Sequence, residues 1–116
     1  MKVKELAEQL QMKVVSGHSG LDNDITGGYS SDLLSDVLAH AEQGNVWITL
    51  QTHKNVMAIA SLKDLAAVII VNNNQPEEEM IAHSNEENIP VLLTSEPTFS
   101  ISGKIYNCLN VLSTIK

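Results

Sequence analysis

Apolar residues fall at positions 3, 6, 7 and 10 of the chain, the spacing that lines one side of an α-helix, so Lys2 to Leu10 is predicted to be a short amphipathic helix. The period then changes. Val14-Val15 reads as a strand stopped by Gly17, and the Gly, His, Ser and Asn residues from Gly17 to Asn23 read as a loop. Asp24 to Thr26 is a further candidate for a short strand. Leu33, Leu34, Val37, Leu38 and Ala41 return to helical spacing, with Ser30 or Ser31 as N-cap and Gly44 as the C′ residue. Val46 to Leu50 is a run of β-formers, and Val56 to Leu62 reads as a helix capped by Asn55.

The second half repeats this grammar. Ala67 to Val71 is apolar without alternation, which requires cover on both faces and marks a central strand. Pro76 opens a helix whose first turn holds Glu77, Glu78 and Glu79, where the helix dipole favours negative charge. Three consecutive positions cannot converge on one ion, so these glutamates read as a solvated helix start. Val91 to Thr94 is the last strand, and after Pro97 the residues Ile101, Ile105, Leu109 and Leu112 form the inner stripe of a C-terminal helix. Strand–helix–strand connections of this length favour parallel pairing with right-handed crossovers. The prediction is therefore one α/β domain over residues 1–116, a three-layer sandwich with a mostly parallel central sheet. Val46 to Leu50, Ala67 to Val71 and Val91 to Thr94 should be neighbouring interior strands.

Charge narrows the choice of partners. Seven basic and fourteen acidic residues give a net charge of −7, which repels a phosphate backbone at long range, so no nucleic-acid partner is expected. The single cysteine, Cys108, excludes an internal disulfide and fits a reducing compartment; lying beside an apolar helix stripe, it is expected to be buried and inert. Lys2 to Glu5 is polar where a signal peptide needs an apolar core, and no apolar run approaches the ~20 residues that span a bilayer. The expected location is cytoplasmic, without membrane contact.

The stretch from Asp24 to Asp36 holds the most suggestive chemistry. Gly27-Gly28 would let the backbone take positive φ and approach a ligand, and the helix predicted to follow would offer free N–H groups to an anion. The same residues also read as a plain turn and N-cap. They do not make a P-loop, because the Gly-Lys-Ser/Thr ending is missing. Asp24-Ile25-Thr26-Gly27-Gly28 and Ser31 to Val37, followed in register by Gly44 to Val56 and Ala58 to Leu62, resemble the DRTGG domain over roughly residues 20 to 112. Ile25 stands where the signature has Arg, so a role of that cation toward a ligand anion does not carry over. The resemblance implies an α/β module of larger proteins, such as certain phosphotransacetylases and pyrophosphatases with cystathionine-β-synthase-type domains. There it serves regulation and subunit contact; it is also similar to the N-terminal, non-catalytic domain of HPr kinase.

Ligands of open α/β sheets sit outside the carboxyl ends of the strands. Four loops, Thr26 to Asp32, Gln51 to Asn55, Asn72 to Gln75 and Thr94 to Thr98, are expected at one such edge. They are rich in hydroxyl, amide and imidazole groups and poor in cations, which suits hydrogen-bonded recognition of a polar ligand or a nucleotide. Thr26, Gly27, Gly28, Ser30, Thr49, Gln51, Thr52 and His53 are the predicted ligand-binding residues. No metal ligand set is spaced for zinc, and His40 one turn after Asp36 reads as an intrahelical pair. Asp32 and Asp36 are expected on one helix face as dipole partners. No complete nucleophile, base and orienting group can be assembled, so neither catalytic residues nor a cofactor are assigned. The resulting expectation is a regulatory or scaffolding module that forms a homodimer and senses a small polar ligand; the alternatives are a small enzyme acting on a phosphorylated metabolite and a domain that only docks a protein partner.

Overall fold

A computed structural model describes residues 1–115, with side chains through Asn110. The elements in chain order are α1 (Val3–Gln9), β1 (Lys13–Ser16), β2 (Gly27–Ser30), α2 (Leu34–His40), β3 (Asn45–Thr49), α3 (Asn55–Leu62), β4 (Ala67–Ile70), α4 (Glu78–Glu87), β5 (Val91–Leu93) and α5 (Thr98–Ile115). The sheet runs β1-β5-β4-β3-β2. Strands β2 to β5 are parallel, and β1 joins β5 antiparallel with an irregularity between Val14 and Ser16. The three predicted interior strands are neighbours, and β4 is central and wholly buried.

Side chains alternate across this sheet as the pleat requires. Val46, Ile48, Ala67, Ile69 and Leu92 meet α1 and α5 on one face, through Val3, Leu6, Ile101 and Ile105. Trp47, Val68, Ile70, Val91 and Leu93 meet α2, α3 and α4 on the other, through Val37, Val56, Met57 and Met80. The result is a helix–sheet–helix sandwich. Trp47 is fully buried, and its indole N–H donates to the Ser31 carbonyl at 2.7 Å, so its one polar atom is satisfied where its bulk is packed.

Several local expectations are corrected. The segment Asp24 to Thr26 contributes only a single bridge, Lys2 to Asp24, and the strand lies one step later, with Gly27 opposite Asn45 and Ser30 opposite Ile48. Gly27-Gly28 is thus strand rather than turn. Neither glycine has positive φ; Gly17 and Gly44 do, at +69° and +82°. Gly44 is not the C′ residue of α2, which closes at Ala41, but forms the tight approach to β3 where a Cβ would lie 2.6 Å from Thr26 Cγ2. Neither serine caps α2: Leu33 holds the N-cap position, and Ser31 Oγ accepts from the Leu33 N–H at 3.2 Å. Helix α3 begins at Asn55 with Lys54 as N-cap, and α4 begins two residues beyond Pro76. Ile101 and Ile105 are buried as predicted and Leu109 is half-buried, while the Leu112 side chain lies outside the described residues.

Candidate functional site

At the carboxyl edge of the sheet, where an α/β ligand is first sought, the loops after β2 and β3 are tied together by the protein's own hydrogen bonds, while a cleft of about 400 Å³ beyond β5 is lined by Asn73, Gln75, Thr94 and Glu96. Asp32 does not share a helix face with Asp36. It precedes α2, and its Oδ1 accepts from Thr49 Oγ1 at 2.9 Å and from the Leu50 N–H at 2.8 Å. Gln51 Nε2 donates to the Asp32 carbonyl at 3.0 Å, and the Gln51 N–H donates to Thr49 Oγ1 at 3.2 Å. The Thr52 carbonyl accepts the Glu77 N–H at 3.0 Å, and His53 Nδ1 accepts the Asn55 N–H at 3.2 Å. Beside them, Asn72 and Asn73 donate their backbone N–H groups to Glu96 and Thr94, and the Asn74 amide donates to the Leu50 carbonyl. Thr49, Gln51, Thr52 and His53 are therefore brought together, and all but the exposed His53 ring serve to tie neighbouring loops.

Thr26 and Gly27 lie at the other end. Gly27 pairs with the first residue of β3, whereas Thr49 is its last, a separation of about 13 Å at ~3.3 Å per strand residue. The single composite surface expected from the sequence is thus divided. The correction follows from the strand assignment: once the glycines belong to β2, the Thr26 end of that segment is its amino end. Thr26 itself is anchored there, with Oγ1 donating to the Gln43 carbonyl at 2.8 Å and accepting from Asn45 Nδ2 at 3.2 Å.

Beside Gly28 lies a groove. Between β2 and α5 lies a cleft of about 410 Å³ lined by Thr26, Gly27, Gly28 and Ser30 on the strand side and by Ser102, Tyr106 and Asn110 on the helix side, with Ile48, Ile105 and Leu109 also lining it. Ser30 Oγ and Ser102 Oγ are 2.7 Å apart and hydrogen-bonded. A Cβ on Gly28 would meet Val46 Cγ2 at 3.5 Å and Ile48 Cδ1 at 3.8 Å, so this glycine faces the α5 side, and its missing side chain leaves room for the groove. The lining offers hydroxyls, an amide and an aromatic ring but no formal charge. Ser102, Tyr106 and Asn110 were not predicted; their i, i+4, i+8 spacing on one side of the last helix is the sequence signal that marks them.

Several charged groups elsewhere form pairs. The Asp36 carboxyl is held below its ordinary value by the Tyr29 hydroxyl that donates to it at 2.8 Å, then by Ser31 and His40, and Tyr29 is raised by the same bond. His40 Nδ1 lies 3.1 Å from Asp36, the predicted intrahelical pair. Lys54 lowers Glu79 across a 2.9 Å contact. Ile25, at the signature's Arg position, packs against the α1–α5 core instead of presenting a cation, and Cys108 is half-buried beside the same core. Among the described residues no three His, Cys, Asp or Glu are grouped to hold a metal, and no helix is long and apolar enough to cross a membrane.

No curated protein sequence matches the chain. A crystal structure of the CBS and DRTGG domains of the regulatory region of Clostridium perfringens pyrophosphatase, complexed with its activator diadenosine tetraphosphate, is similar with a TM-score of 0.64 and 12% identity, over 90% of this chain and 45% of that one. The chain thus spans less than half of that relative, and at this identity the likeness is one of fold. The model of the DRTGG domain matches residues 5–108, taking in every strand of the sheet and the groove lining apart from Leu109 and Asn110, and the chain belongs to the DRTGG-domain family.

Proposed function

We propose that residues 1–116 form one non-catalytic regulatory module that takes a small polar ligand of the nucleoside or nucleotide class in the β2–α5 groove and acts as a self-associating unit. The observation that carries this reading is the uncharged, hydrogen-bonding groove over Gly27 and Gly28. A volume of about 410 Å³ falls in the range of small-molecule sites. Tyr106 supplies an aromatic ring, and the hydroxyls and amide supply the donors and acceptors that a nucleobase and ribose need. The lack of lining cations favours the nucleoside part of the ligand over its phosphates. The regulatory region that shares this fold, complexed with a dinucleotide activator, supports the same ligand class. A cytoplasmic location fits the single cysteine.

The test is calorimetric titration with AMP and with diadenosine tetraphosphate. Gly28→Val fills the groove and is expected to weaken binding at least ~10-fold, a loss of about 1.4 kcal/mol, while His53→Ala at the carboxyl edge leaves affinity unchanged. Weakening by His53→Ala without weakening by Gly28→Val would move the ligand to the Thr49 to His53 edge. Absence of binding for both nucleotides at millimolar concentration would end the nucleotide reading.

A further inference from the structure

Strand β2 closes the sheet, and no strand of the described residues pairs with its outer side. Its sequence Gly-Gly-Tyr-Ser has none of the lysines, prolines or inward charges with which edge strands usually discourage pairing. Next to it, α5 presents Phe99 and Tyr106, 90% and 68% exposed, around Gly103. These three residues and Ser30 line a shallow, mainly apolar depression, so that the strand edge and the aromatic patch are continuous through Ser30. Large exposed aromatics grouped on one face mark an interaction surface.

We infer that this surface, the outer edge of β2 together with Phe99 and Tyr106 of α5, binds the same surface of a second copy of the chain. The inference rests on the self-association reading and assigns its interface. Two observations select a second copy as the occupant. The chain carries a net charge of −7, yet the depression has no acidic lining residue, and the one charged side chain that lines it, Lys104, is paired with Glu96 at 2.9 Å. An acidic face would repel its own image; this one does not. The second observation is the backbone: an edge strand offers alternating donors and acceptors that another extended segment can pair with, and antiparallel pairing about a two-fold axis makes β2 its own partner. That axis stands perpendicular to the joined sheet, so the two α5 helices lie on the same face and Phe99 and Tyr106 of each copy meet across it. Four residues of strand make few hydrogen bonds, and the aromatic contact supplies the apolar burial that the short edge lacks.

Sedimentation equilibrium of the full chain between micromolar and several hundred micromolar tests this, with Phe99→Lys, Tyr106→Lys and the control Leu62→Lys. All three positions are exposed, and Leu62 lies on α3 across the sheet. The expected result is a wild-type dimer of twice the 12.6 kDa chain mass, weakened roughly 100-fold or more by Phe99→Lys because each copy contributes one ring, with Leu62→Lys unchanged. Concentration-dependent protection of the Tyr29 and Ser30 region from hydrogen exchange should accompany it. A wild-type dimer indifferent to both aromatic substitutions would overturn the assigned surface and leave self-association standing. A wild-type monomer throughout the range would overturn both and leave the patch to a different protein.

Discussion

Asp32 holds the end of β3 to the loop before α2, and its removal gives the sharpest test of how these two loops are held together. Its Oδ1 accepts from Thr49 Oγ1, a fully buried side chain, and from the exposed Leu50 N–H. A hydrogen bond to a charged group contributes about 1.5–3 kcal/mol when its partner is buried and less in water, so the Thr49 bond dominates. Asp32→Ala should therefore cost about 2 kcal/mol, and Asp32→Asn, which keeps an acceptor and loses the charge, about half of that. For a chain of this size the larger loss corresponds to a drop in Tm of roughly 6–12 °C. Urea unfolding of Asp32→Ala, Thr49→Val and the double variant measures the coupling directly: removal of either partner should make removal of the other nearly silent. A coupling below about 0.5 kcal/mol, the scatter expected for independent sites, would refute the clasp.

Gly44 and Gly27 should respond in opposite ways to alanine. At Gly44, with φ of +82° and Thr26 Cγ2 only 2.6 Å from the added Cβ, Gly44→Ala should cost about 2–4 kcal/mol by thermal or chemical denaturation, whereas at Gly27, where the nearest atom is Asn45 Nδ2 at 3.4 Å, Gly27→Ala should stay within about 1 kcal/mol. A destabilised Gly27→Ala beside a neutral Gly44→Ala would reverse the assignment of strand and turn. The depressed Asp36 carboxyl makes a pH prediction: a group whose folded value lies below its unfolded one stabilises above the unfolded value, near pH 4, and loses that contribution as the pH falls through the folded value. The stability gap between wild type and Asp36→Asn should thus be held at about pH 5 and shrink below about pH 4, and urea midpoints that show the gap growing on acidification would contradict the Tyr29 bond as its source.

The parts of this fold that were legible in the sequence are those whose environment is uniform along the element. Ala67 to Val71 announces a central strand because helices cover both of its faces, leaving no position for a polar residue. The Gly27-Gly28 pair misleads for a complementary reason. Glycine is read as a licence for positive φ, but here both residues keep ordinary strand geometry, and what matters is the side chain that Gly28 lacks beneath α5. No local pattern reveals that vacancy, since the helix that makes it a groove lies more than seventy residues downstream. Asp32 is similar. Its spacing from Asp36 matches one helical turn, and only the tertiary approach of Thr49 shows that the carboxylate belongs to the sheet.

The two edges of this sheet differ, and the difference bears on the proposed regulatory role. At the carboxyl edge the loops after β2 and β3 spend many of their polar groups on one another, from Asp32 with Thr49 to Asn74 with Leu50. Along β2 the reverse holds: no further strand of the described residues satisfies its outer side, and the groove on its inner face is polar without charge. Ser30, Ser102 and Tyr106 line both the groove and the depression outside it. A ligand that orders Tyr106 acts on a residue of the proposed contact between copies, and a second copy that orders Tyr106 acts on the proposed ligand site. Thermodynamic linkage then requires each to change the affinity of the other by the same factor. A small module with a shared residue set along its open β2 edge has the physical means to couple ligand to assembly.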